Sequence, residues 1–419
     1  MDIIEIKKII SDWQQSISKA DNYKIIKTIR EIISVYSKLD EKQKELFIFN
    51  FKPIQKKIFD NIYSNDPLLR RAVINLAISL NTNELIADVI KYLKVEKDYE
   101  NIMVYLQYID KFKVVGFIEN LFDFAKQVDL PLIIRFKTFS IIFSLAINYK
   151  NNLLIIDYVF SVINELVKNQ HFNYSVLSLF FKNLIHDLLS YYRGENVPKV
   201  VSIFSDFYNN LFFKLFDFIR SFLGLIDNEE KSEIIASAFI LTFLISVTLD
   251  KMGHFSDGKN VSDFRGLLYK DFDLVAFLKQ ISLEVKNKAY FFLFFSNFLK
   301  DYGLVKDFKT LLDKNQSFTE ILVDLISNDN ERLNYQILSL ISDLDLPISD
   351  KSLKRIADFA KSNFNENIVY TCLEIFDKNK YYEDIFYFAK YSSSYGERVK
   401  IKIKEVLRKM TKGKTEDDG

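Results

Sequence analysis

The sequence predicts an all-α protein, and three observations support this prediction. Apolar residues recur throughout the chain at the three- and four-residue spacing of an amphipathic helix. The period-two alternation and tight turns that strands need are almost absent, and the 419 residues include only 10 glycines and 5 prolines. Polar clusters interrupt the apolar pattern roughly every 12–20 residues, so we expect about twenty short helices.

The clearest single helix is predicted to begin at Pro67. Asp66 supplies an N-cap oxygen, and proline has the φ angle of a first helical turn. The apolar stripe that follows consists of Leu69, Ala72, Val73, Leu76, Ala77 and Leu80. Similar stripes at 333–344 and 369–376 predict two further amphipathic helices.

The length of the chain and its lack of linkers predict stacked helices rather than separate beads. A single core stops growing at roughly 250–300 residues, and no Gly/Ser-rich or Pro-rich spacer interrupts the helical pattern before about residue 410. We divide the chain into an N-terminal helical solenoid part at 1–250, a polar loop at 251–266, C-terminal repeats with a basic capping helix at 267–410, and a disordered tail at 411–419.

Charge and hydropathy argue against several classes of protein. The 57 Lys and Arg residues nearly balance 56 Asp and Glu residues, and a net charge of +1 gives no overall attraction to nucleic acid or anionic membrane. The first residues include acids and lack the basic start of a secretory signal, so we expect a cytoplasmic protein. The longest uncharged apolar stretch, 234–249, is shorter than the ~20 residues that cross a bilayer, and we interpret it as a buried core helix.

Two segments of the C-terminal third are similar to each other. Residues 327–340 align without a gap with residues 362–375, at an offset of 35 residues. The matches include Ser, Asn, Asn, Glu, Tyr and Leu, which is more than a shared helical period produces. A looser third copy begins at Glu397. This offset suits a helix-turn-helix unit whose apolar face must be buried against neighbouring units.

The segment 66–76, Asp-Pro-Leu-Leu-Arg-Arg-Ala-Val-Ile-Asn-Leu, resembles the HEAT-repeat helix signature. In that signature an Asp caps the helix, an aliphatic-Arg pair follows, and an Ala marks close helix contact. The units between 317 and 410 resemble degenerate HEAT-type pairs without the Val-Arg step, whereas 150–300 is similar to the family only in being helical and apolar. The resemblance implies a right-handed α-solenoid of the armadillo type and a scaffold role in which the concave face binds another protein.

The stretch 249–266 is the one segment that breaks the helical pattern. It contains three of the ten glycines and a concentration of acid and base groups: Asp250, His254, Asp257, Asp263 and Arg265. Long polar loops on a rigid scaffold often carry function, but this spacing matches neither an EF-hand loop nor a P-loop. We therefore weigh a mobile connection against a binding loop for a protein partner, and expect no catalysis there.

The rest of the chain shows no recognisable catalytic or metal-binding pattern. His171 and His186 form no paired metal-binding motif, and no Gly-x-Ser-x-Gly turn is present. Cys372 lies in an apolar stripe, where a small buried hydrophobe is expected rather than a nucleophile. We therefore expect no enzyme activity, no metal and no cofactor.

The last predicted helix is basic and amphipathic. Between Arg398 and Lys414 there are eight Lys and Arg residues and a single Glu. The candidate basic patch consists of Arg398, Lys400, Lys402, Lys404, Arg408 and Lys409. A terminal capping helix would have such a polar outer face, with cations near the negative end of its dipole. The alternative is a contact with RNA, an acidic protein or lipid headgroups.

The function that these observations favour is that of a non-enzymatic scaffold or adaptor for a protein partner. Aromatic residues crowd 204–222 and 289–298, and we interpret both segments as core. A base-stacking surface needs interleaved Arg or Lys, and the second segment has none. One alternative is a HEAT-like nucleic-acid-binding protein similar to the DNA glycosylases, which the net charge and a lone Trp13 far from any acidic cluster disfavour. The other is a peripheral membrane protein that uses the Phe-rich middle and the basic helix.

Overall fold

The computed structural model confirms the all-α prediction. It describes residues 3–17, 21–147, 152–168, 173–198, 201–223, 229–255, 272–313, 317–327 and 329–416. The secondary structure within these ranges is helical, without strands. The chain divides into two compact units, Met1–Ile155 and Ile156–Gly419. The polar loop, where we placed a boundary, lies inside the second unit, and no Gly- or Pro-rich signal marks Ile155 in the sequence.

The first unit is built from eight described helices and the start of a ninth. They are α1 (Ile3–Ile17), α2 (Asn22–Tyr36), α3 (Glu41–Phe59), α4 (Pro67–Ser79), α5 (Ile86–Leu93), α6 (Tyr99–Phe112), α7 (Ile118–Ala125) and α8 (Leu132–Ala146), followed by α9 (Asn152–Val167) across the division. The even-numbered helices α2, α4, α6 and α8 pack side by side in one row. The odd-numbered helices pack beside them, α1 on α2 and α3, α5 on α6, and α7 on α8.

The helix predicted at Pro67 begins where the capping argument places it. The Asp66 side chain accepts a hydrogen bond from the backbone N–H of Leu68 at 2.9 Å, and Pro67 is the first helical residue. Leu69, Val73, Leu76, Ala77 and Leu80 are buried, whereas Ala72 is half-buried. The apolar stripe therefore forms the core of the first unit, as the periodicity predicts.

The described helices of the second unit continue from α9. They are α10 (Tyr174–Tyr192), α11 (Val201–Phe222), α12 (Glu229–Phe255), α13 (Leu274–Glu284), α14 (Lys288–Asp301), α15 (Val305–Asp313), α16 (Ser317–Asp324), α17 (Glu331–Asp343), α18 (Asp350–Lys361), α19 (Glu366–Lys378), α20 (Ile385–Lys390) and α21 (Glu397–Glu416). A row runs from α12 through α14, α17 and α19 to α21, and each helix packs on the next. The helices α13, α16 and α18 pack in a second row.

The apolar helix α12 lies at the centre of the second unit, where it packs against α10, α11 and α14. Its segment Glu229–Met252 is the one described helix long and apolar enough to cross a membrane, with a mean hydropathy of 2.0. Within its apolar window, 89% of the residues are buried inside the protein. Buried hydroxyls on this helix bond to carbonyls one turn earlier, such as Thr242 to Ala238 at 2.8 Å. This packing supports the interpretation of 234–249 as a core helix.

The aromatic segments also lie in the core. Phe204, Phe207 and Phe212 of α11 are at most 1% exposed, and Phe291 and Phe295 of α14 are fully buried. The rings pack edge to face or in offset stacks, the arrangements that aromatic quadrupoles favour. These rings are therefore unavailable as a stacking platform for bases.

Candidate functional site

The self-similar segments fold into three helices, α17, α19 and α21, that pack in sequence. Each begins with a glutamate, Glu331, Glu366 and Glu397, so the helix starts are offset by 35 and then 31 residues. The side chains of Asn330 and Asn365 cap the first two of these helices by accepting hydrogen bonds from their first turns. The resemblance in sequence thus corresponds to a repeated local structure.

One side of these helices is open to solvent, and we call it the row face. It consists of Arg332 and Tyr335 on α17, Asn367 and Tyr370 on α19, and Arg398 and Ile401 on α21, which occupy equivalent positions in the three units. Tyr335 is 39% exposed and Ile401 55% exposed. Large exposed apolar or aromatic side chains beside arginine are typical of protein interfaces.

The two arginines of the row face are held on tyrosine rings of the preceding helix. The Arg332 guanidinium carbon lies 4.0 Å from the ring centroid of Tyr290, and its Nη1 donates to the Tyr290 hydroxyl at 2.8 Å. The Arg398 guanidinium lies 3.8 Å from the ring of Tyr370. Neither arginine forms an ion pair with a carboxylate among the described residues. Both cations are therefore positioned by cation-π contact and remain open to an incoming anion.

Two further contacts recur from unit to unit. Glu331 accepts a hydrogen bond from the Asn365 side chain of the next unit at 2.6 Å, and Glu366 lies so close to Gly396 that a Cβ there would be 2.5 Å from its carboxylate. At the opposite helix ends, Lys378 donates to the Ser342 carbonyl at 2.6 Å and Lys409 donates to Asp377 at 2.7 Å. Lys378 and Lys409 are equivalent positions, as are Ser342 and Asp377. Equivalent positions are therefore in contact at both ends of the units, although the chemistry of each contact differs.

Asp377 is the polar centre of the contact between α19 and α21. Its side chain is 8% exposed, and its Oδ2 accepts hydrogen bonds from Lys402 at 2.9 Å and Lys409 at 2.7 Å. Burial opposes the charge on Asp377, but the bonds from the two lysines outweigh it and lower its pKa. Burial likewise opposes the charge on Lys402, and Asp377 raises its pKa.

The residues of the predicted basic patch lie in different surroundings in the structure. Arg398, Lys402 and Lys409 make the contacts just described within the protein. Lys400 forms an ion pair with Glu397 one turn away at 2.9 Å, while Lys404 and Arg408 are exposed. The helix itself continues to Glu416, so residues 411–416, which we assigned to the disordered tail, have a helical backbone.

The first residues of the predicted polar loop are helical. The helix α12 extends to Phe255 and includes Asp250 and His254, whereas Asp257, Asp263 and Arg265 lie outside the described residues. Gly253 signalled an earlier end, but one glycine in a last helical turn costs only about 1 kcal/mol. Near this helix end Lys251 lies 3.4 Å from the ring centroid of Tyr192, whose hydroxyl bonds to Asp307. The sequence pattern gave no signal for that cluster.

Metal-binding side chains do not converge within the described residues. No group of three His, Cys, Asp or Glu side chains in these ranges could hold a metal ion. Cys372 is fully buried, and burial raises the pKa of its thiol. His186 packs edge-on against the ring of Tyr302, with 5.6 Å between centroids, and His171 lies outside the described residues.

The arginines that carry the HEAT-like signature link α4 to α6. Arg70 forms a bidentate ion pair with Glu96, whose side chain is 3% exposed: its Nε donates to Oε2 at 2.9 Å and its Nη2 donates to Oε1 at 2.8 Å. Burial opposes the charge on Glu96, but the Asp98 backbone N–H and Arg70 outweigh it and lower its pKa. Arg71 donates to Asp98 at 2.9 Å. These groups satisfy one another, so we assign them to stability.

Two surface clefts are lined by charged residues. A cleft of about 600 Å³ in the first unit lies between α3 and α5, and Lys52 and Lys56 face it together with Glu84 and Asp88. Its carboxylates already accept hydrogen bonds, Glu84 from Gln55 at 3.0 Å and Asp88 from a tyrosine hydroxyl at 2.5 Å. A cleft of about 520 Å³ in the second unit lies between α18 and the segment that follows α19. Neither cleft contains the polar convergence of a small-molecule site.

Comparisons with known proteins do not assign a family. No protein-family model and no curated protein matches the chain. An engineered protein solved by a structural genomics consortium aligns over 97% of this chain and 98% of its own, with 11% identical residues and a TM-score of 0.34. A similarity at that level indicates nothing about function.

Proposed function

We propose that this chain is a non-enzymatic scaffold whose second unit is a HEAT-like α-solenoid and binds another protein through the row face. The observation that carries the proposal is the recurrence of the Arg-on-Tyr contact, at Tyr290–Arg332 and Tyr370–Arg398. Each contact fixes a guanidinium at the surface before any partner arrives, which reduces the entropy lost on binding. Arginine and tyrosine are also the side chains most often found at the centres of protein interfaces.

The repeated packing supports the solenoid part of the proposal. In α17 and α19 the inward stripe consists of equivalent buried residues: Leu333, Ile337 and Leu340 match Ile368, Cys372 and Ile375. The match continues in α21 with Val399, Ile403 and Val406. Each unit buries its apolar face against the next, which is how stacked repeats are stabilised. The solenoid leaves its outer side chains free to vary with the partner.

Site-specific photo-crosslinking in cells tests the row face. A benzophenone amino acid replaces Tyr335 in one variant and Ile401 in another, and Tyr23, which is 76% exposed in the first unit, is replaced in the control. We expect Tyr335 and Ile401 to yield an adduct with the same protein, and Tyr23 to yield none. A nucleic-acid or lipid adduct at these positions would instead favour one of the two alternative functions. Equal labelling from all three positions would contradict the row face as an interface.

A further inference from the structure

The helices α4, α6 and α8 begin at one end of the first unit. They pack side by side, and the short helices α5 and α7 return the chain between them. Two hydrogen bonds join the beginnings of α4 and α6: Arg71 donates to Asp98 at 2.9 Å, and the Asn101 side chain donates to the Pro67 carbonyl at 3.0 Å. We call this end of the unit, with the connections 94–98 and 126–131 that lead into α6 and α8, the helix-start edge.

The helix-start edge exposes large apolar side chains that the opposite end lacks. Five of them are at least half exposed: Leu68 (58%), Val95 (66%), Tyr99 (54%), Val128 (80%) and Ile133 (50%). At the opposite end, the fully described connections 80–85 and 113–117 expose Asn, Glu and Lys side chains and no large apolar ones. Large apolar side chains concentrated at one end of a unit are typical of a surface that another molecule covers.

The apolar area of the helix-start edge matches one side of a protein dimer. A large side chain has roughly 150–200 Å² of surface, so the five together expose on the order of 500 Å². A standard interface buries about 800 Å² on each partner, of which about 57%, or roughly 450 Å², is non-polar. The edge therefore exposes about as much apolar surface as one side of a stable interface needs.

The charged residues of the edge have both signs, which suits a second copy of the same surface. Lys94 and Lys97 lie on either side of Val95 in the connection to α6, and Asp129 follows Val128 in the connection to α8. All three charged side chains are exposed, and none of them forms an ion pair among the described residues. Two copies of the edge can therefore meet with opposite charges facing each other.

We propose that the helix-start edge binds a second copy of this chain, with α6 of each copy opposite α8 of the other. A two-fold axis between the two helices makes every contact occur twice. Val95 and Tyr99 pack against Val128 and Ile133 of the second copy, and the lysines on either side of Val95 pair with its Asp129. The dimer carries two row faces, so it binds two partner molecules, or one partner with a repeated binding segment more tightly than a single chain does.

Light scattering and sedimentation equilibrium of the full chain, over a range of concentrations, test the proposal. We expect twice the mass of a single chain at about 20 μM and dissociation on dilution, since interfaces of this size have dissociation constants in the micromolar range or below. The variant V128E/I133E places charges in the apolar contact and should weaken association about tenfold or more. In the control, Phe49→Glu changes a residue of α3 that is 78% exposed, against 80% for Val128, and association should stay within about twofold. Circular dichroism verifies that both variants are folded.

An exchange of charges tests how the two copies are oriented. Asp129→Lys brings like charges together and should weaken association about tenfold. The triple variant K94D/K97D/D129K restores opposite signs, and its affinity should return to within about threefold of that of the unaltered chain. A triple variant as weak as Asp129→Lys would show that α6 does not lie opposite α8, and would overturn the proposed arrangement.

Two further outcomes would overturn the proposal as a whole. One is equal weakening by V128E/I133E and Phe49→Glu, since association would then not depend on the helix-start edge. The other is a chain that remains monomeric at about 100 μM, which is weaker than an interface of this area allows. Flotation with phospholipid vesicles would then distinguish a lipid surface from a different protein as the molecule that covers the edge. Neither outcome bears on the row face, whose residues belong to the second unit.

Discussion

Asp377 connects two helices through a single carboxylate, and its Oδ2 accepts both lysine bonds. The substitution Asp377→Asn removes the charge and leaves Lys402, 12% exposed, with only the longer 3.7 Å pair to Glu405. We expect the free energy of unfolding at pH 7 to fall by about 1–3 kcal/mol, measured by urea denaturation. The control Asp343→Asn breaks the half-exposed pair with Lys300 and should cost less than about 1 kcal/mol.

The same carboxylate gives a pH dependence of known sign. Because the folded pKa of Asp377 is lowered, its charge stabilises the protein above the unfolded pKa of about 3.9, and this contribution is lost as the pH falls through the folded pKa. The stabilities of the unaltered chain and Asp377→Asn should therefore converge as the pH falls below about 4. A difference that persists unchanged at low pH would mean that the substitution acts through packing and not through charge.

The thiol of Cys372 should not react with reagents in the folded protein. Its side chain is fully buried in α19, and burial raises the pKa of the thiol, so little thiolate forms at neutral pH. We expect no reaction with a disulfide reagent at pH 8 under native conditions and one equivalent of reaction in denaturant, since it is the single cysteine of the chain. Rapid native labelling would contradict both the burial and our expectation that this cysteine is no nucleophile.

At the level of helices, the sequence predicted α4, α17 and α19 because capping residues and apolar stripes are local signals. The Asp66 cap and the matched stripes of the two repeat segments could be identified without any tertiary information. Contacts between residues distant in sequence could not be identified in this way. Nothing in the sequence pattern pairs Arg398 with Tyr370 or Arg70 with Glu96. The contacts of Lys402 and Lys409 with Asp377 and of Arg398 with Tyr370 are of this kind, so composition alone showed only that the helix is basic.

Lys400 and Lys404 of α21 occupy the positions that Val369 and Leu373 occupy in α19, and this gives a prediction about the helix as an element. The variant K400V/K404L gives α21 the apolar surface that α19 has at these positions. We expect this variant to self-associate, because association buries the exposed apolar surface. Light scattering should then give a larger, concentration-dependent mass than for the unaltered chain. The control K52V/K56L adds the same side chains to α3 and should associate less. Equal masses for all three chains would contradict a stacking geometry at α21.

At the level of the whole molecule, composition and hydropathy predicted the fold class but not the division into units. The chain is too long for a single core, as the length argument requires, yet the division between the two units falls within α9, where the sequence pattern is continuously helical. The polar segment 251–266 interrupts the helical pattern more clearly than the sequence around Ile155 does, yet its residues belong to the second unit. Burial of the apolar α12 was predictable from its flanking charges and length.

The division into units predicts that unfolding is not a single two-state transition. Each unit has its own buried apolar residues, so we expect two transitions in calorimetry or urea denaturation. Glu96→Gln acts as a marker for the first unit, since it leaves Arg70, 12% exposed, without its carboxylate and should cost about 3 kcal/mol. Hydrogen exchange would then show faster opening of α4 and α6, while α17 and α19 keep their protection. A single transition that shifts as a whole in Glu96→Gln would instead show that the two units unfold together.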